Sequence, residues 1–307
     1  MKKKSIILLK VLVSLLIISL LLYFIGFRKV FETILKINIL FLPIIIIIYF
    51  LTALIGSINM FILLKPLKHN IPYLKILKFT FLSWAIGVIT PAKIGHFSMV
   101  YFLKKEGINM GDGAAIWVLD KIISLSMSFI FFVFGFSLFF RIDQLVIAIL
   151  AILSAASIPA FILFHKKGRY IIKKFVLRKY SIKFSGFSNC LSNYIKKFKR
   201  YILMDCITTL IGLVIDALSL LILFVSFNEH TSLIKIMVVR AINVFASLIP
   251  ITLDGLGIRE SIGVFLFGKI GLSAPVVITS YLILIIINYI AVGIIFSFLF
   301  ERKIVKH

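Results

Sequence analysis

Apolar positions in this sequence run on without alternating with polar ones. Six stretches, at about 6–27, 39–64, 113–140, 144–165, 201–227 and 273–300, meet or exceed the ~20 predominantly apolar residues a helix needs to cross a hydrocarbon core. Two more stretches are broken midway. Residues 77–103 are interrupted by Thr90-Pro91-Ala92-Lys93-Ile94-Gly95, and residues 236–268 by Pro250-Ile251-Thr252-Leu253-Asp254-Gly255-Leu256-Gly257. Each break leaves two half-helices too short to cross singly, which predicts hairpins that enter and leave on one side. The expected fold is an all-α polytopic membrane protein, with six transmembrane helices and two oppositely oriented re-entrant hairpins. One transmembrane domain spans 1–307: an N-terminal helical hairpin (1–64), a first re-entrant repeat (77–140), a basic cytoplasmic segment (166–200) and a second re-entrant repeat (236–300).

Composition strengthens this picture. Apolar residues make up 62% and charged residues 15%, against roughly half and a quarter in soluble domains. A water-soluble fold of this length could not bury so many long apolar runs. Lys2, Lys3 and Lys4 ahead of an apolar run resemble a signal peptide. The run from Ile6 to Phe27 is too long for that, and no small-x-small cleavage site follows, so a retained helix is expected.

The net charge of +24 does not point to nucleic acid, because the basic residues lie between the apolar segments. With both termini cytoplasmic, inside segments carry 24 Lys and Arg and outside segments 6. That bias holds only if both broken stretches are re-entrant. It places the protein in the cell membrane with residues 166–200 inside, and that segment, with 12 basic residues and none acidic, suits either topology control or a helix lying on an anionic leaflet.

Shifting the chain by 164 residues lays Tyr101–Ile108 on Phe265–Leu272, each at the end of a broken stretch and ahead of a long helix. Three crossings separate the two hairpins, so they enter from opposite sides. Inverted repeats with broken helices are a recurrent transporter design.

Ionisable residues at apolar depth are costly in lipid unless paired or hydrated, so each is a functional candidate. They are Lys93, His96, Asp120, Lys121, Asp205, Asp216, Arg240, Asp254, Arg259 and Glu260. Asp205 lies near a membrane edge, which favours interfacial solvation; Asp216 is mid-helix. Lys93 and His96 cluster at the first break, and Asp254, Arg259 and Glu260 at the second. Gly95, Gly255 and Gly257 permit tight turns, and the half-helix N-termini there offer N–H groups to an anion such as a lipid phosphate. Asp120 and Lys121 are adjacent on one helix and point about 100° apart, so they are not expected to share a partner. Glu260 is expected to meet Lys93 across the hairpins. The alternative throughout is a structural loop or interhelical ion pair. Two cysteines, Cys190 and Cys206, and five scattered histidines form no metal site or disulfide framework; no cofactor motif is present.

At these residues the chain resembles the flippase-like, UPF0104-type membrane family related to the transmembrane region of lysylphosphatidylglycerol synthase. Pro91-Ala92-Lys93-Ile94-Gly95-His96-Phe97-Ser98-Met99 followed by Gly107-Ile108 is similar to its first signature, Asp120-Lys121 to an acidic-basic pair, and Pro250 with Gly255-Leu256-Gly257-Ile258-Arg259-Glu260 to its last. His96 stands where the family usually has Glu and Met99 where it usually has Arg, consistent with an ion pair this chain lacks. The resemblance implies a lipid transporter; lysyl-lipid synthesis does not follow from it, because the synthase's aminoacyl-transferring domain is not among the residues that match. Its expected substrate is a phospholipid or polyprenyl-phosphate-linked amphiphile with an anionic or zwitterionic head group. The rival readings are an accessory subunit, partnering a membrane glycosyltransferase, or a membrane-embedded enzyme of lipid-linked glycan synthesis.

Overall fold

The computed structural model describes residues 3–88, 90, 95–164, 184–248, 251–252 and 255–301. Those residues are helical with turns between. The helices are α1 (Lys3–Ile25), α2 (Phe27–Leu35), α3 (Phe41–Leu64), α4 (Tyr73–Val88), α5 (Ser98–Lys105), α6 (Met110–Phe136), α7 (Ile142–Phe164), α8 (Phe187–Lys197), α9 (Lys199–Ser226), α10 (Leu233–Ser247), α11 (Ile258–Lys269) and α12 (Ala274–Glu301).

Five of them are long and apolar enough to span a bilayer: α1, α3, α6, α9 and α12. The sixth expected crossing falls on α7, whose Ile142–Ser154 portion is a shorter apolar helix. α1 leaves Leu8, Leu12, Leu15 and Leu16 more than half exposed, and α7 does the same with Ile147 and Leu150. A helix that is apolar all round and still exposed is solvated by lipid.

Neither broken stretch forms one continuous helix. α4 ends at Val88 and α5 starts at Ser98; α10 ends at Ser247 and α11 starts at Ile258. At 1.5 Å per residue even α4, with 16 residues, rises only about 24 Å, short of the ~30 Å core. α4 packs on α5, and α10 on α11.

The expected repeat register is present. α5 and α11 end in the same turn, with Gly107 at φ 86° and Gly271 at φ 93°. Ile108 N–H donates to Leu103 O at 3.2 Å and Leu272 N–H to Phe267 O at 3.1 Å, the same six-residue closure in both. Only glycine takes that φ without cost. The helix contacts repeat as well. Exchanging α3, α4, α5 and α6 with α9, α10, α11 and α12 turns each of the pairs α3–α4, α4–α5, α5–α6, α3–α6 and α4–α12 into another pair that is also packed.

Two apolar cores sit at opposite ends of α6. The first joins Leu63, Leu64, Ile76, Leu103 and Ile108 to Ile116, Leu119 and Ile123 in the N-terminal half of α6, with Leu191 and Tyr194 of α8. The second joins Phe224, Ile236, Leu266, Phe267 and Leu272 to Phe132 and Phe136 near the C-terminal end of α6. The base of each broken stretch is thus anchored at a different end of one long helix.

Within the basic segment, α8 does not lie free on a leaflet. It buries Cys190, Leu191 and Tyr194 against the bundle, and Tyr194 donates its hydroxyl proton to Leu63 O. Residues 165–183, with most of the basic cluster, lie outside the described residues.

Candidate functional site

Between the two cores is a cavity of about 410 Å³, lined from α3, α4, α5 and the turn before it, α6, α9, α10, α11 and α12. Its ionisable lining is His96, Asp120, Lys121, Asp216, Arg240, Arg259 and Glu260. Residues just after both breaks, His96 and Met99 on one side and Arg259 and Glu260 on the other, therefore face one space. Lys93 and Asp254 lie outside the described residues, as does the expected Lys93–Glu260 pairing.

The first break is held by local bonds. Gly95 N–H donates to Thr90 Oγ1 at 2.8 Å, and that hydroxyl donates back to Ile86 O at 2.9 Å. His96 then lays its ring over Gly87 of α4, where a Cβ would stand 2.4 Å from the imidazole. No other residue at 87 leaves room for that ring.

The second break turns on Gly255 (φ 75°) and Gly257 (φ 87°). Glu260, 1% exposed, accepts the Gly257 N–H at 2.5 Å, the glutamate half of a capping box, since glycine has no side chain to return the bond. One of the N–H groups expected to await an anion is thus already satisfied by this carboxylate. Arg259 Nη2 stands 3.8 Å from Glu260 Oε1, close enough for attraction but too long for a strong bond.

The firmest pair joins two helices. Arg240 of α10 donates Nε–H to Asp216 Oδ2 at 2.6 Å and Nη2–H to Asp216 Oδ1 of α9, a fork-on-fork geometry. Sequence reasoning flagged both residues but not as one unit. An acid and a base alone at apolar depth on neighbouring helices were the available signal. Asp120 and Lys121 pair with each other, which the ~100° between their Cβ directions does not suggest: the long lysine side chain folds back so that Nζ lies 2.7 Å from Asp120 Oδ2, and both line the cavity.

Asp205 overturns another expectation. It is 0% exposed, covered by the protein rather than solvated. Polar and aromatic residues unmarked in the sequence complete the wall. Tyr49 donates to Asn288 Oδ1 at 2.5 Å and has its ring 5.5 Å from that of Trp84; Tyr281 Oη accepts a bond at 2.8 Å from Nδ2 of Asn243, a buried residue outside the lining. Such residues abound in apolar helices, and only packing shows which ones turn inward.

Among the described residues no group of three or more His, Cys, Asp or Glu side chains is placed to hold a metal. What the cavity offers is paired charges of both signs, with hydroxyls, amides and aromatic faces, inside a lipid-exposed bundle.

This arrangement defines a multi-pass α-helical membrane protein with a charged central cavity. The chain belongs to the family described as lysylphosphatidylglycerol synthase TM region, which it matches over residues 7–295. A UPF0104 membrane protein of Pyrococcus horikoshii is 20% identical over 298 residues, covering 88% of this chain and 89% of that protein. No solved structure matches.

Proposed function

We propose that the protein is a flippase-type transporter of the cell membrane, moving a phospholipid or polyprenyl-phosphate-linked amphiphile between leaflets. The carrying observation is the central cavity, whose volume falls in the range of small-ligand sites. It takes a polar head group while acyl or prenyl tails stay among the exposed apolar helices.

Each cation lining it among the described residues, Lys121, Arg240 and Arg259, has an internal carboxylate within 4 Å. A phosphate can take over a guanidinium, and an amine can take over a carboxylate. Such exchange favours an anionic or zwitterionic head group over a neutral one. Anchoring of the two broken stretches at opposite ends of α6 supports oppositely oriented re-entrant hairpins, and the 24-to-6 basic bias supports cytoplasmic termini.

The test is purified protein in proteoliposomes carrying fluorescent lipids of different head groups, with outer-leaflet fluorescence quenched chemically. Faster loss of signal than in protein-free vesicles, for anionic or zwitterionic lipids and not for a neutral glycolipid, is expected. No acceleration for any head group overturns the reading. Native mass spectrometry of co-purifying lipid then names the substrate.

A further inference from the structure

We propose that Asp205 is a proton-binding site, in communication with the central cavity through Asp120; its link to transport rests on the translocation reading above.

Asp205 sits on α9, which packs on both α3 and α6, and among the described residues neither of its carboxyl oxygens has a hydrogen-bond partner. Thr209, one turn further on, accepts a bond from Asn59 Nδ2 of α3 at 2.9 Å. The other end of that amide, Asn59 Oδ1, is buried and also without a donor among the described residues. This region therefore concentrates acceptor oxygens that none of the described residues satisfies.

The neighbouring charges sharpen the point. From α6 come Asp120, 5% exposed, and Lys121, whose ammonium is already engaged by Asp120. Cys206 is the thiol beside it on its own helix. α10 presents Arg240 three turns along α9, held by Asp216; Tyr281 of α12 stands near Arg240, Glu260 and Arg259; Tyr194 of α8 faces Cys190, Asp112 and Tyr201.

An ionised Asp205 would be a buried anion with no hydrogen-bond donor among the described residues, beside a second carboxylate that already engages the nearby Lys121, which is unfavourable. An anionic ligand would be repelled, and a neutral donor would leave the charge. A proton is the smallest species that removes the charge, and it turns one oxygen into a donor. Asn59 and Asp120 both line the cavity, so the site borders the space where a head group would sit. Loss or gain of this proton alters the charge felt by Asp120 and hence its grip on Lys121.

The experiment is infrared difference spectroscopy of the full-length protein in nanodiscs across pH, in sodium-free and sodium-containing buffer. The expected result is a protonated-carboxyl C=O band that shifts in D2O, disappears in Asp205→Asn and persists in Asp120→Asn. Absence of such a band in the wild-type protein overturns the proposal without any variant, and so does its survival in Asp205→Asn. Its removal by sodium would make the site a metal-cation site and would equally overturn it. In proteoliposomes an imposed pH gradient should change wild-type lipid flux and leave Asp205→Asn flux unchanged. A band with no lipid flux refutes translocation alone, whereas flux without a band refutes the proton site alone.

Discussion

Arg240 and Asp216 join α10 to α9 through two parallel hydrogen bonds at the wall of the central cavity. Removing one partner leaves the other uncompensated, which is worse than removing both. Because Asp216 keeps 37% side-chain exposure, the loss for Arg240→Met is expected at about 1–3 kcal/mol, below the ~3–5 kcal/mol of a fully buried pair. Thermal unfolding in detergent should show Arg240→Met with Asp216→Leu to be more stable than either single variant.

Glu260 has two duties that conservative variants separate. Gln at 260 can still accept the Gly257 N–H, so Glu260→Gln should fold normally yet lose lipid translocation. Glu260→Ala should also lose about 1 kcal/mol of stability with the cap. Lys93→Met is expected to impair flux similarly, and the double Lys93→Met, Glu260→Gln variant to be no worse than either alone. Strictly additive losses would remove the direct pairing.

Gly87→Ala tests how His96 is placed. The new methyl group would fall 2.4 Å from the imidazole, so the ring must swing away from its place at the cavity wall. Lipid flux should fall while stability drops near the low end of the about 1–3 kcal/mol typical of overpacking. Unchanged flux would take His96 out of the mechanism.

Cys190 gives a pH signature outside the spanning helices. Burial first, then the Asp112 carboxylate, push its thiol up to about 12 from 9.0. The unfolded chain therefore releases this proton before the folded chain does. The stability it contributes is complete below about pH 9 and is lost as pH rises through about 12. Maleimide should leave Cys190 unlabelled at pH 8 until denaturant is added, and Cys190→Ala should flatten the alkaline stability loss.

Topology follows from labelling in intact cells. Cysteines introduced at Asn189 on α8 and Asn228 after α9, both exposed, should differ, with Asn228 reacting from outside and Asn189 only after permeabilisation. Equal reactivity would defeat the assignment of cytoplasmic termini.

Much of the fold was legible because its signals are local. Apolar length marks a crossing, Pro and Gly mark a break, and Gly107 and Gly271 fix a repeat register that one shift of the sequence reveals. The site was half legible for the same reason. His96, Arg259 and Glu260 adjoin breaks, so their convergence could be anticipated. Asp216 with Arg240 and Asn59 with Thr209 depend on which helices pack together, and nothing within one helix announces its neighbour. Asp205 was expected to be solvated because position along one helix says nothing about what packs over it.

The two halves share a turn and a contact pattern, but their cores differ in substance. Among the described residues the second core buries Phe132, Phe136, Phe139, Phe224 and Phe267, whereas the first, built mainly of Leu and Ile, buries one phenylalanine, Phe79. A machine of two interchangeable halves would rest with equal ease facing either way. On the translocation reading proposed above, unlike cores would lift that degeneracy and give the resting protein a preferred direction.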